Sequence, residues 1–275
     1  MFKIYNSGKE FIEENREIFD KYPLETVFYE ANANAMYDDM SNGFAVKAYD
    51  ENGFMLAIRN LHFPMVLFGD SRFCGELAEE LYRNNLTFTK LVDTGGHADA
   101  FFESYEKAAG GTHKLSLKMD IMKCHSLKDV DTSEIKAVDL SNAEEIAELN
   151  VEFSKEALNE EYDYNYALER VKSQIADYSV IFRDGRIAAI AKKTRETDRL
   201  CGISFVYTRR EYRGQGFARK VVAFITKSIL DSGKLPYLYV NKSNPVSNHL
   251  YLSMGFEYVN PQTEYKYISD GKQEE

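Results

Sequence analysis

The sequence predicts a mixed α/β (α+β) protein built in two halves of similar size. Three observations carry that expectation. Period-two apolar alternation flanks a tight-turn signal in "GFAVKAYDENGFMLAIRN", around Asp50–Gly53, and again in "YSVIFRDGRIAAIAKKT", around Asp184–Gly185. Such flanked turns read as β-hairpins. Amphipathic stretches of helical period stand between the strands in both halves. A polar stretch, "HSLKDVDTSE" from His125 to Glu134, separates the halves and sets the expected domains at residues 1–127 and 131–275.

In the first half, Lys9 to Tyr22 and Glu25 to Tyr37 read as helices, followed by the first hairpin. "FPMVLFG" is a buried strand, and Ser71 is a candidate cap for a helix running to about Arg83. Residues 98–108 form a further helix between the glycine pairs Gly95–Gly96 and Gly110–Gly111, which read as helix-end and turn glycines. "HKLSLKMDIMKC" alternates as a strand. In the second half "EIKAVDL" is a strand, and Asn142 is placed to cap a helix reaching about Asn159. A helix over 163–177, the second hairpin and the long strand "LCGISFVYT" follow. After a glycine loop comes a helix to about Asp231, then the strand "LPYLYVN", a short helix Val246 to Met254 and closing strand in "EYVNPQTEYKYIS".

Composition narrows the function classes. Apolar residues make up 44% of the 275, enough for a packed core, and charged residues 28%. The net charge of −10 argues against a nucleic-acid partner, which selects a basic face. No apolar run approaches a membrane span, and the N-terminus lacks the basic start and apolar block of a signal peptide, so a cytoplasmic protein is expected. Cys74, Cys124 and Cys201 are far apart and odd in number, which fits neither a disulfide framework nor a zinc site. Cys124 and His125 are adjacent, and adjacent strand residues point to opposite faces, so no metal is expected.

One local exception to the acidic balance runs from Arg209 to Lys220, where Arg209, Arg210, Arg213, Arg219 and Lys220 oppose a single acid, Glu211. It surrounds the loop "YRGQGFA". A basic patch on an acidic chain points to an anionic ligand. A Walker loop is excluded because no Gly-Lys-Ser/Thr occurs. A dinucleotide loop starting at Gly214 meets Arg219 where the third glycine belongs, and its side chain obstructs close helix–strand packing. What remains is a strand, a turn whose Gly214 and Gly216 let backbone N–H groups converge, and the positive end of a helix. That helix is anchored by Ala218, Val221, Val222, Ile225 and Ile229 on one face.

Arg213-Gly214-Gln215-Gly216-Phe217-Ala218 resembles the [Q/R]-x-x-G-x-[G/A] signature of the GNAT acyltransferase superfamily. Downstream, "NKSNPVSNHLYLSMGFEYV" is similar to that family's second signature, with Asn244, Ser247, Tyr251, Gly255 and Phe256 in its places. The order of elements also follows the family, over about residues 131–268. Arg210 stands where the family often has proline. The resemblance implies a mixed, mostly antiparallel central sheet with flanking helices in the C-terminal half. It also suggests a degenerate, GNAT-like N-terminal half, as in two-domain bacterial members.

What the resemblance implies is transfer of acetyl from acetyl-CoA to a primary amine of a small molecule or peptide, in a ternary complex and without a metal. Phe205, Val206 and Tyr207 on the strand, Arg213, Gly214, Gln215, Gly216, Phe217 and Ala218 in the loop, and Asn244 near the pantetheine arm are then the cofactor contacts. The N–H of Phe205 or Val206 faces the thioester oxygen. Tyr251 protonates the departing thiolate, against its alternative as a core aromatic. The acceptor amine arrives charged and needs a base or a water chain. The family's glutamate at the start of the fourth strand has no counterpart in "TDRLCGIS", where Asp198 is the nearest acid. "FSKEALNEEYDY" offers Glu156, Glu160, Glu161 and Asp163, of which Glu156 shares a helix side with Ile146, Leu149 and Phe153. Glu156 either faces the cleft and attracts a cationic amine or is part of a solvated acidic surface. An acyl-CoA-binding sensor without turnover is the alternative.

Overall fold

The structure, a computed structural model, describes residues 1–61, 63–158 and 161–270. In chain order the elements are β1 (Phe2–Ile4), α1 (Gly8–Glu14), α2 (Arg16–Lys21), α3 (Pro23–Ala35), β2 (Gly43–Asp50), β3 (Gly53–Asn60), β4 (Met65–Gly69), α4 (Cys74–Arg83), β5 (Lys90–Asp93), α5 (Ala98–Ala109) and β6 (Thr112–Lys123). There follow β7 (Lys136–Ala137), α6 (Ala143–Phe153), α7 (Tyr164–Ser173), β8 (Tyr178–Arg183), β9 (Arg186–Thr194), β10 (Leu200–Thr208), α8 (Phe217–Asp231), β11 (Leu235–Asn241), α9 (Pro245–Met254) and β12 (Glu257–Ile268). Strand pairing is mostly antiparallel, with parallel neighbours at β4–β5 and β10–β11. None of the described helices is long and apolar enough to cross a membrane.

The chain forms two compact units. The first comprises residues 1–121, 240–244 and 259–275, the second 122–239 and 245–258. Chain order alone therefore does not define them: most of β12 packs in the first unit, where Thr263 to Lys266 pair antiparallel with Asp93 to Lys90 of β5. The first unit's strands run β1-β2-β3-β4-β5-β12-β6 and the second's β7-β8-β9-β10-β11.

The first unit's sheet is covered on both faces, and β3 shows why its sequence reads as a nearly continuous apolar run. Leu56 and Ile58 point to Phe11, Phe19 and Tyr29 of α1–α3. Met55 and Ala57 point the other way, to Leu77, Phe101 and Phe102 of α4 and α5. In the second unit Ile146, Leu149 and Val171 of α6 and α7 meet Val180, Ile190 and Phe205. The helix α8 packs on β8, β9 and β10 and buries Val221, Val222, Ile225 and Ile229, the face that its spacing predicts.

Several boundaries differ from the sequence reading for identifiable reasons. The helix expected over 9–22 breaks at Asn15, whose Nδ2 donates to the Phe11 carbonyl and the Tyr5 hydroxyl. Asp70, not Ser71, caps the turn before α4, accepting from the Arg72 amide. Asp139 and Asn142 form a reciprocal capping box one turn earlier than expected for α6. The helix α6 stops at Phe153 and passes into a π turn, Ser154–Leu158. Glu160 lies outside the described residues.

Candidate functional site

The site begins with a defect in β10. Ser204 pairs with Lys192 of β9 and Tyr207 with Ile190, so Phe205 and Val206 together stand opposite Ala191 alone. Phe205 takes φ +51°, an uncommon conformation for a bulky aromatic. Its ring is held by Phe153, 5.2 Å away edge-on, and by Tyr178 at 6.0 Å. That packing fixes a bulge which otherwise costs about 1–3 kcal/mol. Parallel pairing of β10 with β11 runs from Leu200↔Leu235 only to Ile203↔Leu238. The strand's pairings thus change just where Phe205 and Val206 present their backbone.

Beyond β10 the chain makes a short turn, Arg210–Tyr212, and enters the glycine loop. Gly214 and Gly216 have φ +77° and +78°, a region open to glycine and costly for other residues. A Cβ at either would meet nothing within 4 Å, so the loop's surface is open there. Gly216 is the N-cap of the fifteen-residue α8, with no side chain capping the helix. The first-turn N–H groups are left to an outside acceptor. Phe217 tucks its ring inward beneath the Arg183 guanidinium, at 4.4 Å.

The basic patch is largely neutralised from within. Arg209 is buried, its Nε donating to the Ile187 carbonyl and its Nη atoms pairing with Glu145 at 3.0 Å and Glu152 at 3.5 Å. Lys220 pairs with Glu134, and Arg219 donates to Ser253. Arg213 folds back, Nε to the Thr208 carbonyl at 2.9 Å and Nη2 to Glu156 at 2.6 Å; Arg210 holds the other Glu156 oxygen at 3.1 Å. Net positive charge is therefore not the distinguishing feature of the loop. Its open backbone donors are.

Glu156 sits in the π turn with both oxygens taken by arginines. Burial works to raise its pKa, but hydrogen bonds from Arg213 and Arg210 outweigh that and hold the carboxyl below its ordinary range. Glu156 thus ties the turn after α6 to Arg210 and Arg213 beside the glycine loop. One turn earlier, Glu152, with its side chain 47% exposed, accepts from the Tyr207 hydroxyl at 3.2 Å. Tyr207 is pushed up by burial and then by the negative charges of Glu152 and Glu156. Glu152 was missed because its partners, Tyr207 and Arg209, lie more than fifty residues away. Lys192 was missed too. It stands opposite Ser204 on the α6–α7 face, donates to Gln174 at 2.6 Å and lies 5.1 Å from the Tyr178 ring centre. Burial, then Arg170, pushes its amine down to about 8.

Tyr251 lies on α9, 6% exposed, its ring 5.8 Å from Phe256. Its hydroxyl has no hydrogen-bond partner among the described residues, and burial pushes it well above the ordinary phenol value. Gly255, at φ +105°, turns the chain after α9; a Cβ there would lie 2.5 Å from the Ser126 carbonyl oxygen. Asn244 immediately precedes α9, its amide donating to the Asn241 carbonyl.

Residues 180–266, which span this loop, match the family model described as FR47-like protein. Solved structures align over almost the whole chain. A GCN5-related N-acetyltransferase from Sphaerobacter thermophilus covers 99% of this chain and 97% of its own at 14% identity, with TM-score 0.64. A GNAT-family acetyltransferase from Colwellia psychrerythraea covers 98% and 100% at 11% identity, TM-score 0.59. A tandem GNAT protein from the clavulanic acid biosynthesis pathway covers 100% of both at 10%, TM-score 0.54. The chain, in its two compact units, has the fold of these GNAT acetyltransferases. No curated protein sequence matches it. In this GNAT fold β10 is the bulged strand and α8 the helix that follows the glycine loop, both within the region the family model covers.

Proposed function

We propose that the second unit binds acetyl-CoA and transfers its acetyl group to a primary amine of a small molecule or peptide. The observation that carries this reading is the bulge at Phe205–Val206, where β10–β11 pairing ends, two residues before the strand runs out into an uncapped helix start. The loop from Arg213 to Ala218 would offer its N–H groups to the CoA pyrophosphate, and Tyr207 would line the arm. The amide of Phe205 or Val206 would accept the developing oxyanion.

Chemically, the amine nitrogen attacks the thioester carbon, the C–S bond breaks, the thiolate takes the proton of Tyr251, and the proton released by the nitrogen returns through water to the phenolate. The Tyr251 phenol, raised further by burial, is in its protonated form at neutral pH, the form an acid needs. Glu152, half exposed and shared between Tyr207 and Arg209, would draw a protonated amine and pass its proton to water; Glu156, held by two arginines, is better suited to fixing the loop. The test is thermal shift with acetyl-CoA followed by free-thiol release on a panel of amines. A shift with release on at least one amine is expected. No shift with any acyl-CoA overturns the reading; a shift without release on any amine assigns the unit to a binding module without turnover.

A further inference from the structure

Most basic side chains around the second unit's site are answered by an acid. Arg209, Arg210, Arg213 and Lys220 each pair with a glutamate, and on α7 Lys172 pairs with Glu169. Lys192 and Arg170 are different. Lys192 donates to the Gln174 amide at 2.6 Å and lies 5.1 Å from the Tyr178 ring centre. Arg170 reaches the hydroxyls of Tyr166, at 3.5 Å, and Tyr162. Among the described residues no carboxylate lies within ion-pair distance of either. Both side chains are partly exposed, so a ligand can reach them. They are also neighbours. Arg170 and Gln174 are four residues apart on one side of α7, which places the guanidinium beside the ammonium that Gln174 holds. After burial, Arg170 is the strongest influence lowering the Lys192 amine; it outweighs Asp177, and Arg195 adds to it. On a chain with 44 acids against 34 bases, an unanswered pair of like charges is costly and marks a place for an anionic group.

The position narrows what that group belongs to. Lys192 is the direct partner of Ser204, the last residue of β10 before the bulge, and directly opposed residues share a face of the sheet. The Ser204 hydroxyl makes no hydrogen bond among the described residues, so it adds a donor beside the ammonium. On the same face a row of contacts runs from Lys192 to Tyr178 at 5.1 Å, on to Phe205 at 6.0 Å, and on to Phe153 at 5.2 Å. Phe153 follows Glu152 in the chain. One face of this sheet therefore carries an acid at one end, two bases at the other and the ring of the bulge residue between them. We propose that the acceptor is an amino acid with a free carboxylate, its ammonium drawn by Glu152 and its carboxylate held by Lys192, Arg170 and the Ser204 hydroxyl. The inference rests on the acetyl-transfer reading and narrows its amine to a zwitterion.

The test compares phenylalanine, leucine and lysine with phenethylamine, isopentylamine and cadaverine, the same amines without the carboxylate. Thiol release from acetyl-CoA gives kcat and KM, and calorimetry on the full chain saturated with CoA gives affinity without turnover. At least one amino acid is expected to show a KM and a dissociation constant about tenfold or more below those of its matching amine. Lys192→Gln and, separately, Arg170→Gln should remove most of that ratio with acetyl-CoA affinity retained, and Lys192→Arg should keep it. Amines used or bound as well as their amino acids by the wild type overturn the proposal, as does a ratio unchanged in both glutamine variants or the absence of binding by every compound. Amino acids that bind more tightly than their amines yet release no thiol uphold the carboxylate site and count against acetyl transfer instead.

Discussion

The two units reach the same point in their order of elements and treat it differently. In each, an antiparallel strand pair leads into a strand with a parallel neighbour, and a helix follows. In the first unit β4 runs against Met55–Ile58 of β3 without a break, and its parallel pairing with β5 extends to Leu67↔Asp93. Its exit is filled by the protein's own anion: Asp70 accepts from the Arg72 amide, and the Arg72 side chain is tied to both Asp70 and Asp50. In the second unit β10 bulges, its pairing with β11 stops at Ile203, and Gly214 and Gly216 leave the start of α8 uncapped. The turn leading into α4 is capped by Asp70, whereas no side chain caps the glycine loop's exit into α8. That contrast, rather than the surrounding positive charge, points to a ligand at the second, since most of the charge there is already paired.

The strongest way to erase the difference is to give the second junction the first one's anion. Gly216→Asp puts a carboxylate at a helix N-cap, where it satisfies the open donors itself, at a residue whose φ already disfavours a side chain. Acetyl-CoA affinity is expected to fall about 100-fold or more, roughly 2.7 kcal/mol, in calorimetry. Next in size is the reacting end. Tyr251→Phe is expected to lower turnover by about 100-fold with little change in acetyl-CoA affinity, measured by thiol release against calorimetry.

A stability effect follows. Arg209→Met leaves Glu145 facing a buried, unpaired position and should destabilise the second unit by about 2–3 kcal/mol in urea, whereas Arg72→Met at the exposed first junction should cost less than about 1 kcal/mol. Equal losses would mean that the two junctions are held alike. The second junction also carries a pH dependence of its own. Lys192 is lowered to about 8 from the 10.5 of an exposed lysine, so between those values the unfolded chain binds the extra proton and stability rises with pH. At neutral pH Lys192→Met should melt above the wild type, and the gap should narrow as pH is raised from 8 to 10. A gap that stays constant would show that burial does not disfavour the charged amine.

Local chemistry in the sequence was enough for the fold and for the conformation of the glycine loop. Hairpin turns, strand alternation and the apolar face of α8 are short-range signals, and the glycines of the loop declare their own φ. The pairings of the arginines were not legible, because Glu145, Glu152 and Glu156 lie on a helix and turn some fifty to sixty residues away, and proximity of that kind exists only after folding. Glu156 was singled out for its helix side, yet the π turn after Phe153 rotated it onto the loop. The placement of β12 against β5 is likewise a long-range choice: nothing within "EYVNPQTEYKYIS" says which strand it will join.

The most direct measurement is acetyl-CoA binding to the full chain by calorimetry, wild type beside Gly216→Asp and Arg72→Met. The wild type and Arg72→Met should bind with equal affinity and one site, and Gly216→Asp should bind about 100-fold or more weakly. Absence of binding by the wild type, or undiminished binding by Gly216→Asp, would contradict the account.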